Sequence, residues 1–170
     1  MKEVRPTAGR VLLALFNILG EMERVSFLDL FAGTGHVGIE ALKRGAFSVV
    51  MVEVLKDRAR GIERTIPEES RDRAVVLSLE LRRAIAWLVR RECFFDVIFA
   101  DPPYNEGWGK TLLHVNSLTK ILKREGVLVV EHASREPLEI FPPWAVTDVR
   151  SYGETALTFL KNTERGEGLS

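Results

Sequence analysis

One cysteine, Cys93, stands in a chain of 170 residues. A lone thiol excludes an intrachain disulfide framework and any cysteine cluster for zinc, and it suits a reducing cytosol. Net charge is missing too: 24 basic residues cancel 24 acidic ones, so bulk electrostatics do not announce a nucleic-acid binder. Apolar stretches stay far below the length of a membrane span, and no signal peptide, internal repeat or low-complexity segment is visible. A cytoplasmic protein that uses no membrane is expected.

What the chain has is core material and arginine. With 46% hydrophobic and 28% charged residues, it suits one soluble α/β domain over residues 1–160 with a short N-terminal arm. A polar tail over 161–170 is expected to be disordered. Of the 24 cations, 17 are arginine, a bias toward forked contacts with carboxylate or phosphate.

Strand and helix signals alternate. After a polar start in which Arg5 precedes Pro6, Thr7 is placed to cap a helix whose apolar face is Val11, Leu12, Leu15, Phe16 and Leu19, ending at Gly20. Strands are predicted at 25–31, 47–54, 74–79, 94–100 and 126–132. Helices are predicted from the glycine loop to Arg44 and at 56–64, 81–91 and 110–124. Pro137, Pro142 and Pro143 then mark a loop, and 145–151 and 155–160 read as two strands joined by Tyr152-Gly153-Glu154. So short a joint permits only an antiparallel hairpin.

Chemistry concentrates at Asp101-Pro102-Pro103-Tyr104, where prolines stop the apolar run that begins at Phe94. Two prolines fix the backbone and remove two donors, leaving carbonyl acceptors in one geometry. Asp101 adds an acceptor and Tyr104 a ring, so a planar group bearing an NH2 finds stacking on one face and partners for both amino hydrogens. A plain strand end, with Asp101 capping a turn, accounts for four such residues equally well.

Gly33-Thr34-Gly35-His36-Val37-Gly38 follows a strand and opens a helix, and Glu53 lies 20 residues beyond Gly33 at the end of the second strand. Glycines let a backbone approach a ligand, a helix start points donors at it, and the carboxylate suits a ribose. NAD and S-adenosylmethionine both satisfy this much. The terminal hairpin is foreign to the dinucleotide fold, and Asp29 puts a carboxylate under the loop, where a cationic amino-acid moiety is welcome and a pyrophosphate is not. As a buried anchor for backbone N–H groups, Asp29 needs no ligand at all.

These stretches resemble a known family. Leu28 to Gly35, Gly38 to Gly45, Glu53 and Asp101-Pro102-Pro103-Tyr104 are similar to class I S-adenosylmethionine-dependent methyltransferases that act on exocyclic amines. Arg5-Pro6-Thr7, Leu15 to Leu19, Val129 to His132 and Tyr152-Gly153-Glu154-Thr155 resemble more closely the bacterial 16S ribosomal RNA guanine-N2 methyltransferases. The resemblance covers about residues 5–160.

It implies a Rossmann-like α/β fold with helices on both faces of a mostly parallel seven-stranded sheet and an antiparallel last strand. It further implies that Asp29 and the backbone from Phe31 through Gly33, Thr34 and Gly35, with Gly38, hold the methionine part of S-adenosylmethionine. Glu53 would take the ribose hydroxyls, and Val54 and Leu79 would flank the adenine. Asp101, Pro102, Pro103 and Tyr104 would hold the target amine, with no metal.

The implied partner is ribosomal RNA or the small ribosomal subunit, and the chain is expected to act as a monomer. Relatives carry a polar or acidic residue where this chain has Leu79, with Glu80 next to it. They also carry a basic hairpin ahead of the Arg-Pro-Thr motif, whereas here that motif lies almost at the first residue, so Arg5, Thr7, Arg10 and the Arg82-Arg83 pair are the expected phosphate contacts. Trp108 is placed to stack on an extruded base or to close the pocket. His132, after the fifth strand and near the expected site, is read as a loop histidine tied to backbone, with a contact to substrate as the alternative. An adenine-N6 or DNA target, a binding module without catalysis, and a nicotinamide oxidoreductase are the competing readings.

Overall fold

The computed structural model describes residues 8–103 and 107–164. Seven described strands form one sheet in the order β3-β2-β1-β4-β5-β7-β6. They are β1 (Ser26–Asp29), β2 (Ser48–Val52), β3 (Ala74–Leu77), β4 (Phe95–Ala100), β5 (Leu122–Ala133), β6 (Trp144–Tyr152) and β7 (Thr155–Asn162). The first five neighbours pair parallel, while β7 runs antiparallel between β5 and β6. This is the class I methyltransferase arrangement implied by the resemblance, including the terminal hairpin at Gly153, whose φ is +61°.

Alternate strand residues feed two cores. Leu28, Val50, Ile98 and Leu128 pack with α4 (Leu81–Arg90), α5 (Trp108–Leu113) and α6 (Leu118–Ile121). Phe27, Val49, Val97 and Val129 face the other way, onto α1 (Ala8–Leu19), α2 (His36–Lys43) and α3 (Lys56–Thr65). A strand buried on both faces must be apolar at every position, which is why these runs read as continuous rather than alternating.

Several expected boundaries shift. The helix predicted over 110–124 is two short helices separated at His114 to Ser117, and Leu122 already belongs to β5, where it pairs with Phe95. The apolar spacing is helical there, but pairing with β4 wins Leu122 for the sheet. The chain then loops out before Val127 rejoins Val97. Gly126 fits this return because a Cβ would lie 2.6 Å from Leu122 Cδ1. A 3-10 helix, Glu68–Arg73, fills the segment after Pro67. At the C-terminus β7 continues to Asn162, so the ordered domain extends past residue 160 into the expected tail.

Candidate active site

The strand order reverses between β1 and β4, and open α/β sheets bind ligands at the carboxyl end of that switch point. Asp29 ends β1, level with Met51 of β2 and Phe99 of β4. The chain beyond it is pinned on both sides: Leu30 N–H donates to Phe99 O at 2.9 Å and Ala32 N–H to Val52 O at 2.9 Å. A cavity of about 630 Å³ opens there, and its walls include Phe31, Gly33, Thr34, Glu53, Val54, Leu79, Asp101, Pro102, Pro103 and Trp108. That volume falls within the range of small-ligand pockets. Of the twelve described residues that the sequence nominated for the cofactor or the amine, three do not line the cavity, Asp29, Gly35 and Gly38, and neither does the Arg82-Arg83 pair.

Gly38 needs a correction. A Cβ there would meet Met51 Sδ at 2.5 Å, so this glycine lets α2 lie close on β2 rather than approach a ligand. Gly35 caps α2 in the left-handed region at φ +83°, and a Cβ would press on Ile62 at 2.9 Å. Gly35 thus sets where the helix begins, and Gly38 how closely it lies on the sheet. Gly33, at φ +58° with open space around it, is the one that faces the cavity.

Glu53 is buried, and both its oxygens are held: Gly33 N–H donates to Oε2 at 2.9 Å and Leu55 N–H to Oε1 at 3.0 Å. A carboxylate has about four acceptor sites, so two remain for a ligand's hydroxyls. Asp29 is 1% exposed and receives Phe31 N–H on Oδ1 at 3.2 Å. Burial pushes its carboxyl up to about 7, and the neighbouring Asp101 and Glu53 charges push the same way against the Phe31 hydrogen bond. Glu53, Glu80 and Asp101 line the cavity against Arg58, an excess of acid that favours a ligand bringing positive charge.

Val54 and Leu55 are more than half exposed at the rim, an apolar surface open to a flat ring. Leu79 sits opposite, and its neighbour Glu80 also lines the cavity. Glu80, however, caps α4, accepting Arg82 N–H at 3.0 Å and Arg83 N–H at 3.4 Å. That role was legible in principle, because an acid immediately before the apolar helical run that begins at Leu81 suits the positive end of the helix. On the other wall Trp108 meets Phe31 edge to face, with ring centroids 5.5 Å apart.

Pro102 is buried and Pro103 exposed. Tyr104, Arg5 and Thr7 lie outside the described residues. Arg10 is exposed on α1, away from the cavity lining. His132 is held as read from the sequence, but in strand β5 rather than a loop: Nδ1 lies 2.9 Å from Ala133 O and 3.0 Å from Glu136 O, and Nε2 lies 2.7 Å from Thr158 Oγ1. His36, missed as a lining residue, stands at the rim, where crowding lowers its imidazole and Thr34 Oγ1 lies 3.1 Å from Nδ1. No cluster of metal-binding side chains exists among the described residues, and no described helix is long and apolar enough to cross a membrane.

The family model described as conserved hypothetical protein 95 matches residues 1–161. The chain belongs to this family. Its relatives include the Bacillus subtilis protein named "Putative rRNA methyltransferase YlbH", 32% identical over 92% of this chain and 87% of its own length. The ribosomal RNA small subunit methyltransferase D of Escherichia coli is 25% identical over 96% of this chain and 82% of its own. A solved Escherichia coli structure, "Putative methyltransferase yhhF", superposes with a TM-score of 0.77 at 25% identity, covering 90% of this chain and 85% of that one. Family and fold together make the chain an S-adenosylmethionine-dependent methyltransferase whose named relatives include rRNA methyltransferases, and the acid-lined cavity with its exposed apolar rim fits that cofactor's cationic and planar parts.

Proposed function

We propose that the protein methylates the exocyclic N2 amine of a guanine in 16S ribosomal RNA. The observation that carries this reading is that Asp101-Pro102-Pro103 and the Gly33–Glu53 pair line one cavity at the same edge of the sheet. When bound, S-adenosylmethionine supplies a methyl group made electrophilic by the adjacent sulfonium.

The chain's own residues do the rest. Gly33, Thr34 and the buried Asp29 receive the amino-acid end, Asp29 acting as the counter-charge beneath the loop. Glu53 offers its two free acceptor sites to the ribose, and Val54 and Leu79 sandwich the adenine. Asp101 and the Pro102 carbonyl accept the two hydrogens of the target amine. An aromatic amine's lone pair is delocalised into its ring, and drawing both hydrogens toward acceptors localises that pair for in-line attack. Tyr104 stacks on the base. Positioning and electrostatics supply the rate, and the proton released from the product amine leaves by way of Asp101 or solvent.

Incubation with small ribosomal subunits, free 16S RNA and methyl-labelled cofactor, followed by nucleoside mass spectrometry, tests this. N2-methylguanosine is the expected product. Methylated adenine, or no labelled nucleoside from either RNA, would overturn the assignment.

A further inference from the structure

The neutral total charge conceals a one-sided distribution. On the layer formed by α4 and α6, the residues Leu81–Arg90 and Leu118–Ile121 contain four cations, Arg82, Arg83, Arg90 and Lys120, and no acid. Arg91 follows directly and is exposed like the rest, while the exposed acids Glu80 and Glu92 flank the helix at its two ends. None of these five makes a salt bridge among the described residues. Across the sheet, α3 carries Asp57 and Glu63 among its cations. Solvation alone gives no reason for acids to be missing from the helices of one layer.

An aromatic lies within the same face. Trp87 is half-buried against the core, and the Arg91 guanidinium stacks over its ring at 4.2 Å from the centroid. Stacked guanidinium and indole planes are surfaces on which an unpaired base stacks, and arginine forks suit phosphate oxygens. Arg83, Trp87, Arg90 and Arg91 follow one another at spacings of four, three and one, which sets them along one side of α4. The stripe spans about 10–12 Å at 1.5 Å per residue. The N-terminal end of α4, two residues before Arg83, adjoins the cavity, which Glu80 and Leu81 line.

We propose that this outer face of α4 is the docking track for the ribosomal RNA strand flanking the target base: Arg83, Arg90 and Arg91 hold its phosphates, and the Trp87–Arg91 stack receives an unpaired base. The inference rests on the rRNA reading above, and it assigns RNA docking to an element separate from the glycine loop and the Asp101 turn.

The test compares wild type with Arg83→Glu/Arg90→Glu/Arg91→Ala, and with Arg60→Glu/Arg64→Glu on the opposite layer, on 16S RNA at several salt concentrations. The α4 variant should bind RNA about tenfold or more weakly, and the slope of log affinity against log salt should fall by about 2, at roughly 0.7 for each phosphate no longer held. Its cofactor affinity by calorimetry and its turnover at saturating RNA should match wild type, as should RNA binding by the α3 variant. Wild-type affinity and salt slope in the α4 variant, or an equal loss in the α3 variant, would overturn the docking track while leaving the enzyme reading intact. Failure of the wild type to bind or methylate the RNA would remove the reading itself and the track with it.

Discussion

At the ends of β1 and β2 the cavity is shaped by hydrogen bonds, whereas at the end of β4 it is shaped by their removal. Glu53 is clamped by two backbone N–H groups and Asp29 by one, so the carboxylates on that side are positioned before any ligand arrives. On the β4 side, Pro102 and Pro103 contribute no N–H at all, and rigidity comes from their fixed φ. Under the proposed function the difference matches two tasks. One side must bind a molecule tightly and return it as product, while the other must hold only acceptors toward an amine and keep donors away from it.

The sharpest way to break this contrast is at Asp101. Asp101→Ala should lower turnover by roughly 10²-fold or more with cofactor affinity within about threefold of wild type, read by steady-state kinetics beside calorimetry. Turnover near wild type would remove the acceptor role. Glu53→Ala should do the converse, weakening the cofactor by about tenfold or more because an oriented, charged acceptor is lost. Since the same change frees the Gly33 and Leu55 N–H groups, Glu53→Gln, which keeps one acceptor oxygen, should recover part of the affinity. Equal affinity in all three proteins would sink the ribose role.

Asp29 adds a dependence on pH whose sign follows from its direction. Its folded value near 7 lies above the ordinary 3.8, so between these limits the folded chain holds more protons than the unfolded one. Asp29's unfavourable contribution is therefore full above pH 7 and fades as pH falls toward 4, so its effect is to stabilise the ligand-free protein on acidification. Cofactor affinity should move the opposite way, falling below pH 7 by up to about tenfold per unit as the counter-charge is neutralised. Asp29→Asn should flatten both profiles, which thermal melts and calorimetry between pH 5 and pH 8 would read. Unchanged pH dependence of cofactor binding in that variant would show the acid to be a structural anchor alone.

Smaller in catalytic terms is Gly38→Ala. The added methyl has Met51 Sδ only 2.5 Å away, and overpacking of this kind costs about 1–3 kcal/mol. Denaturant melts should show that loss, with cofactor affinity changed less than in Glu53→Ala. A drop in affinity larger than in Glu53→Ala, without loss of stability, would restore Gly38 to the ligand.

Much of this was legible along the chain. The β1 and β2 runs, the α1 face of Val11, Leu15 and Phe16, and the hairpin around Gly153 rest on local spacing, and local spacing survived folding. The 110–124 segment did not, because Leu122 is apolar in either conformation and only Phe95 on another strand decides between them. Glycines 33, 35 and 38 look equivalent as a motif, yet one lines the cavity, one turns the chain and one admits Met51. Glu80 stood out by its position near the adenine side, but its carboxylate serves its own helix.

By itself the order of residues determined the sheet's alternating connections, the antiparallel end and the identity of the acids, glycines and prolines at the strand ends. These depend on short-range periodicity, turn chemistry and residue type, all of which a linear pattern carries. Tertiary structure alone decided which of those residues share a cavity, how Glu53 is clamped, how far burial raises Asp29, and that the α4 and α6 cations lie on one layer. Each depends on distances between segments far apart in the chain, and on the water that packing removes, which no spacing within one segment records.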